Sequence, residues 1–132
     1  MSVVLEVQKS LYAKLTGDSA LMVLVTGVYD YVPEGAELPY VTIGDIGAAD
    51  DSAKGRKGYE LDVNLEVYSQ GQGRKECLDI IGRLKVLLDN QALTITGFVH
   101  IFSKVVRIET RRSADNLLAN GLMAMKIFVK DN

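Results

Sequence analysis

The residues best able to do chemistry in this chain are few. His100 is the only histidine and Cys77 the only cysteine. His100 sits among Phe98, Val99, Ile101 and Phe102, and the sequence places neither an orienting acid nor a nucleophile beside it, so a structural role is expected. Cys77 falls on the apolar stripe of a helix, where a free thiol behaves as a small buried hydrophobe. One cysteine and one histidine far apart do not make a zinc site. Gly71-Gln72-Gly73-Arg74-Lys75 lies between a strand and a helix, where glycine amides and cations can hold a phosphate. It lacks the third glycine of a dinucleotide fingerprint and the Lys-Ser/Thr end of a P-loop, so an ordinary strand-to-helix turn is the better reading.

Two charged stretches remain. Asp50, Asp51, Lys54, Arg56 and Lys57 sit in a segment with no apolar periodicity. They suit either a solvated loop or an arm that orders on a partner. Arg111, Arg112 and Asp115 at a later turn divide the same way. Tyr29, Tyr31 and Tyr40 gather around one turn and suit either the end of the core or a subunit contact. No basic-aromatic interleaving marks a nucleic-acid platform.

Composition narrows the setting. The chain has 132 residues, 48% of them hydrophobic, with 15 basic against 17 acidic side chains. That length fits one domain with a core of its own, residues 1–132. The lone cysteine argues against a disulfide-stapled secreted scaffold and for a reducing compartment. Near-neutral charge gives no global drive toward nucleic acid or anionic membrane. No basic leader opens the sequence, and Ala20–Val25 is too short to span a bilayer.

The elements that must position these residues follow from periodicity. Val4, Val7, Leu11 and Leu15 line one face of a helix that Gly17 stops. Asp18-Ser19 caps a short helical piece through Leu24. Val28–Val32 reads as a strand, Pro33-Glu34-Gly35 as a turn, and Tyr40–Ile46 as a second strand. Residues 47–58 hold three glycines and five charges and are expected to form a long mobile loop. Leu61, Val63, Leu65 and Val67 alternate with polar residues in the clearest half-buried strand. Cys77, Ile80, Ile81, Leu84, Leu87 and Leu88 give a second helix, with Gly73 as its cap and Asp89-Asn90 as its end. Leu93–Ile95 suggests a short extended piece. Phe98–Thr110 and Gly121–Lys130 complete the strands, with a polar turn over 111–116 between them. The expected fold is α+β, in the order α-β-β-β-α-β-β. It is a mainly antiparallel sheet covered on one face by two amphipathic helices.

Three stretches carry a family likeness: the N-terminal helix with Leu11, Tyr12 and Leu15 followed by Asp18-x-Ala20-Leu21; Val28-Tyr29-Asp30, a turn, and Leu38-Pro39-Tyr40-Val41-Thr42-Ile43-Gly44; and Val67-Tyr68-Ser69 leading past Glu76 into Ile80-Ile81. The hairpin around Arg111–Val129 agrees in type. The chain thereby resembles the tail-completion or tail-terminator-like proteins of long-tailed phages, prophages and gene transfer agents. The likeness implies a non-enzymatic virion assembly protein without cofactors or metals, made in the host cytoplasm and placed at the tail neck. It implies a homo-oligomeric ring, usually a hexamer, at the head-proximal end of the tail. That ring stops tube polymerisation, meets the tail tube protein and the head-tail connector proteins, and lets DNA pass its lumen without specific binding. Asp50, Asp51, Lys54, Arg56, Lys57, Tyr29, Tyr40, Arg111, Arg112 and Asp115 are the expected ring or docking contacts. Another neck part, a head-tail adaptor or a minor tube protein, could use the same small domain. A small-molecule-binding or enzymatic domain fits less well, because no titratable residues converge in the sequence.

Overall fold

The computed structural model describes residues 2–70, 74–115 and 117–132. Helix α1 (Val3–Thr16) is capped by Ser2, whose hydroxyl accepts from the Leu5 amide, and it buries Val7, Leu11 and Leu15. Asp18 caps the short α2 (Ser19–Met22) through the Leu21 amide at 2.8 Å. Each cap satisfies an amide that the first helical turn leaves without a partner. Helix α3 (Lys75–Leu88) buries Cys77, Ile80, Ile81, Leu84 and Leu88. Its cap is Arg74, with no side-chain bond. The expected cap, Gly73, lies with Gly71 and Gln72 outside the described residues.

The strands are β1 (Val28–Tyr29), β2 (Tyr40–Asp50), β3 (Gly58–Gln70), β4 (Phe98–Arg112) and β5 (Leu118–Asp131). They form one sheet in the order β1-β2-β3-β5-β4. All neighbours are antiparallel except β1 and β2, which run parallel through Val28↔Val41 and Tyr29↔Thr42. The α+β class and the element order are those the sequence predicts.

Alternation sets the two faces. Leu61, Val63, Leu65 and Val67 of β3 and Met123, Met125, Ile127 and Val129 of β5 are buried beneath the helices. The opposite face carries Glu60, Asp62, Asn64 and Glu66 beside Lys126 and Phe128, as period-two geometry demands. One contact fixes how closely α3 sits on the sheet. A Cβ on Gly121 would lie 2.5 Å from Ile81 Cδ1 and 2.6 Å from Cys77 Sγ. The helix rests where the strand has no side chain.

Four local expectations are corrected. The first strand shrinks from Val28–Val32 to Val28–Tyr29, because only those residues find a partner, on β2. Residues 47–58 are not a long mobile loop. Gly47–Asp50 continue β2, paired with Asp62–Tyr59, and β3 already begins at Gly58. What remains is a closed turn: Ala53 and Arg56 exchange both backbone hydrogen bonds, at 3.0 and 2.9 Å, around Lys54-Gly55. Gly55 takes φ +78°, as the third residue of a type II turn must. The Asp51 amide donates to the Gly58 carbonyl at 2.9 Å. Polar sequence is misleading here because residues 47–50 of β2 are exposed on both faces, so they need no apolar alternation. Leu93–Ile95 is not a strand; Leu93 and Ile95 are buried anchors of an irregular connection. The turn over 111–116 is shorter, since Arg111 and Arg112 end β4 and β5 starts at Leu118. Asn116 lies outside the described residues.

Candidate assembly interface

The sheet register sorts the expected contact residues into two groups. At one end Gly58 pairs with Lys130; at the other Gln70 pairs with Leu118. The 13 residues of β3 separate these ends by about 40 Å at a rise of roughly 3.3 Å each. Asp50, Asp51, Lys54, Arg56 and Lys57 are exposed at the first end. Arg111, Arg112 and Asp115 are exposed at the second. Tyr40 pairs with Tyr68, Tyr68 with Asn120, and Asn120 with Arg111, so Tyr29 and Tyr40 belong to the second group. The fold does not bring the two groups together.

At the first end Asp50 and Lys57 answer one another, while Asp51, Lys54 and Arg56 stand exposed. The Ser52 hydroxyl donates to Asp50 at 2.6 Å, and Lys57 lies 3.8 Å from the same carboxylate. The hydrogen bond from Ser52, with the nearby Lys57 charge, holds the Asp50 carboxyl below the usual range. The Lys57 ammonium stands 6.0 Å from the Tyr59 ring centre. Gly58 is forced by space, since a Cβ there would meet the Asp51 carbonyl oxygen at 2.7 Å.

The second end is aromatic. Tyr29 meets Tyr40 edge-on with centres 5.6 Å apart, and Tyr40 meets Tyr68 at 5.3 Å. Tyr31, expected in this group, stands apart with 83% exposure. The Tyr68 hydroxyl donates to Glu66, and that bond, with burial, pushes its pKa up to about 12. The adjoining turn is held by side chains. Asp115 accepts from Ser113 Oγ at 2.5 Å and from the Leu117 amide at 3.0 Å, while Ser113 Oγ accepts from the Leu118 amide at 3.1 Å. These bonds, that of Ser113 foremost, lower the Asp115 pKa.

His100 gained a partner that sequence reasoning did not supply. Its Nε2 lies 2.6 Å from Ser103 Oγ. The pair has the elements of a nucleophile and a base, but Ser103 is 1% exposed, so no substrate reaches its hydroxyl. The histidine satisfies a buried hydroxyl on the core face. Burial, with the Lys14 charge nearby, lowers its pKa. Cys77 is buried, and burial raises its thiol pKa away from the reactive range. Lys75 is tied to Asp79 at 2.8 Å. A hollow of about 550 Å³ beside α2 and α3 is lined by Val23, Leu24, Gln70, Lys75, Glu76, Asp79 and Ile80. Among the described residues no group of three His, Cys, Asp or Glu is placed to hold a metal, and no helix is long and apolar enough to cross a membrane.

Tyr68, Glu66 and Asp18 are the positions that sequence reading undervalued. Glu66 and Tyr68 share the polar side of one alternating strand, two residues apart, which is the spacing that lets them meet. Asp18 was read as a cap only. Its carboxylate also receives Arg83 through Nε and Nη2, both at 2.8 Å, clamping α2 to α3.

The comparisons with known proteins agree on one answer. The family described as tail completion protein gp17 matches residues 9–130. The chain belongs to that family. It is thereby placed among structural phage tail proteins. A structure described as bacteriophage SPP1 gp17 protein superimposes with a TM-score of 0.62 at 25% identity, covering 91% of this chain and 86% of that one. A chain from the virion of a native gene transfer agent particle superimposes with a TM-score of 0.90 at 24% identity, covering 98% of both chains, and shares the fold. No curated protein matches the chain.

Proposed function

We propose that this chain is the subunit of a ring, a hexamer in the simplest case, at the head-proximal end of a long phage-type tail. The ring stops polymerisation of the tail tube on one face and receives the head-tail connector on the other. Its lumen passes DNA without gripping it. The observation that carries this reading is the family match across residues 9–130. The fold shared with a gene transfer agent particle chain agrees with it. Charge supports the conduit, because 15 basic against 17 acidic side chains offer little net attraction to phosphates. The role requires no cofactor and no catalysis.

The geometry suggests how two docking faces would be built. The hairpin tip at 51–57 and the connection between β4 and β5 lie at opposite ends of one sheet. Each end would serve a different partner, with Asp50, Asp51, Lys54, Arg56 and Lys57 at one and Tyr29, Tyr40, Arg111, Arg112 and Asp115 at the other. The test is complementation in a host that produces the particles. Removing the protein should leave heads and tails unjoined, with tails of uncontrolled length in negative-stain images. Joined particles with tails of uniform length would overturn the reading. Replacing Ala53–Arg56 by Asn-Gly, a compact hairpin turn, should preserve folding by circular dichroism and impair joining.

A further inference from the structure

The sheet has two unlike edges. Strand β4 forms one of them along all 15 of its residues. A long edge strand is normally blunted against pairing with other chains. Here one short stretch is sealed: the Ser103 carbonyl accepts from the Asn90 amide at 3.0 Å, and the Val105 amide donates to Asp89 Oδ1 at 2.8 Å. Beyond that seal, residues 106–112 offer an edge with apolar side chains in the open, Val106 at 47% and Ile108 at 41% exposure. Arg107, Arg111 and Arg112 stand beside them, with Glu109 bound to Arg107 as their one counter-charge.

The other edge is acidic. Strand β1 covers β2 only at Val41 and Thr42, so the stretch 43–50 has β3 on one side and no strand on the other. That stretch carries Asp45 and Asp50, both exposed, and no cation of its own, Lys57 of the adjoining hairpin lying 3.8 Å from Asp50. Small residues, Gly47, Ala48 and Ala49, leave its backbone open to approach. Each subunit thus presents a basic, apolar edge and an acidic, open edge on opposite sides of one sheet.

We infer that residues 106–112 of one subunit dock on residues 43–50 of a second copy, making a head-to-tail interface that repeats around a ring. This rests on the ring reading given above and assigns the surfaces that reading leaves open. Within the chain β4 and β2 run in opposite directions, so a neighbour of the same orientation sets them antiparallel, the arrangement in which strands pair with perpendicular hydrogen bonds. The two open stretches lie toward opposite ends of the sheet. The neighbour must therefore be offset along the strands, and tilting each sheet against the ring axis supplies that offset, as strand tilt does in a barrel. Unlike edges also make the contact heterologous, the kind that closes into rings.

The experiment uses the purified full chain, with mass determined by light scattering across a concentration series. Asp45→Lys with Asp50→Lys puts like charges against the arginines and should weaken self-association by about a hundredfold. Arg107→Asp with Arg111→Asp, the cations that antiparallel docking sets nearest Asp50 and Asp45, should do the same. The combined variant restores opposite charges across the contact and should recover most of the loss. Recovery cannot come from misfolding, and circular dichroism checks each variant. Independently, the pair Ala48→Cys and Ile108→Cys, which antiparallel docking of the two stretches sets opposite one another, should oxidise to a ladder of covalent multimers, which neither single variant gives. Rings that form normally in both reversed variants, or that yield no ladder, overturn the edge assignment and leave the ring reading standing. Heads and tails that join normally, with tails of uniform length, when the protein is removed overturn both.

Discussion

The two ends of the sheet are closed by different means. At the 51–57 end the backbone closes the turn itself, with paired amides at Ala53 and Arg56 and a glycine in a conformation other residues resist. At the other end side chains close the β4–β5 turn, through Ser113 and Asp115, and three tyrosine rings pack on one another across β1, β2 and β3. The first end projects with exposed charge at its tip. The second lies near the start of α3, where Gly121 receives Cys77 and Ile81. A backbone-closed tip tolerates exchange of its side chains, which suits a surface free to specialise. A side-chain-closed end ties its residues to the fold.

The largest effect is expected at Gly121. Gly121→Ala forces a methyl into Ile81 and Cys77, and overpacking of this kind costs about 1–3 kcal/mol. Urea unfolding should show a lower midpoint with an unchanged slope, and adding Cys77→Ala should recover part of it. No loss of stability would mean that α3 is not seated on this strand as described. Gly55→Val tests the other end. A β-branched residue at φ +78° costs about 1–2 kcal/mol. That loss should be local, leaving the near-ultraviolet signal of the tyrosines unaltered. A cooperative loss of that signal would show the two ends to be coupled.

How much of this was legible in the sequence depends on burial. Leu61–Val67 and Met123–Val129 alternate because one face is buried and the other is not, so their strands, and the covered face, were readable directly. Helix α1 was readable from Val7, Leu11 and Leu15 for the same reason. The 47–58 segment was misread because residues 47–50, exposed on both faces, leave no hydrophobic trace. Strand β1 was overextended because valine and tyrosine favour strands whether or not a partner exists. Of the contact residues, the sequence supplied the names but not their division. Only register shows that Tyr40 and Arg111 share an end while Asp50 lies about 30 Å away by the roughly 3.3 Å rise of each strand residue. The Asp18–Arg83 clamp joins residues 65 apart, and no local pattern announces such a pair.

A smaller effect separates the ends by base. The Tyr68 hydroxyl donates to Glu66 and resists ionisation to about pH 12. In an ultraviolet titration one of the six tyrosines should ionise late. Tyr68→Phe should remove that late step and cost about 1 kcal/mol, the ordinary contribution of one hydrogen bond. A late step that survives the substitution would place the shifted hydroxyl elsewhere.

The smallest effect separates the ends by acid. His100 pairs opposite Val129, toward the 51–57 end, with Ser103 Oγ on its ring nitrogen and the Lys14 charge nearby. Burial first, and Lys14 second, push its pKa below the ordinary value of 6.5. Between the folded and unfolded values the unfolded chain binds more protons, so stability rises with pH across that interval. Acidification from neutral pH should therefore begin to destabilise the protein as it passes 6.5, before the carboxylates titrate. The loss should stop growing once the folded histidine is itself protonated. His100→Asn keeps a polar partner for Ser103 and removes the titration. Its melting temperature should be flatter over this window than that of the wild type, with the difference confined to pH values below 6.5. Equal slopes in the two proteins would mean that protonated His100 is accommodated as easily in the fold as in the unfolded chain, and that burial at this end of the sheet exerts no hold on its charge.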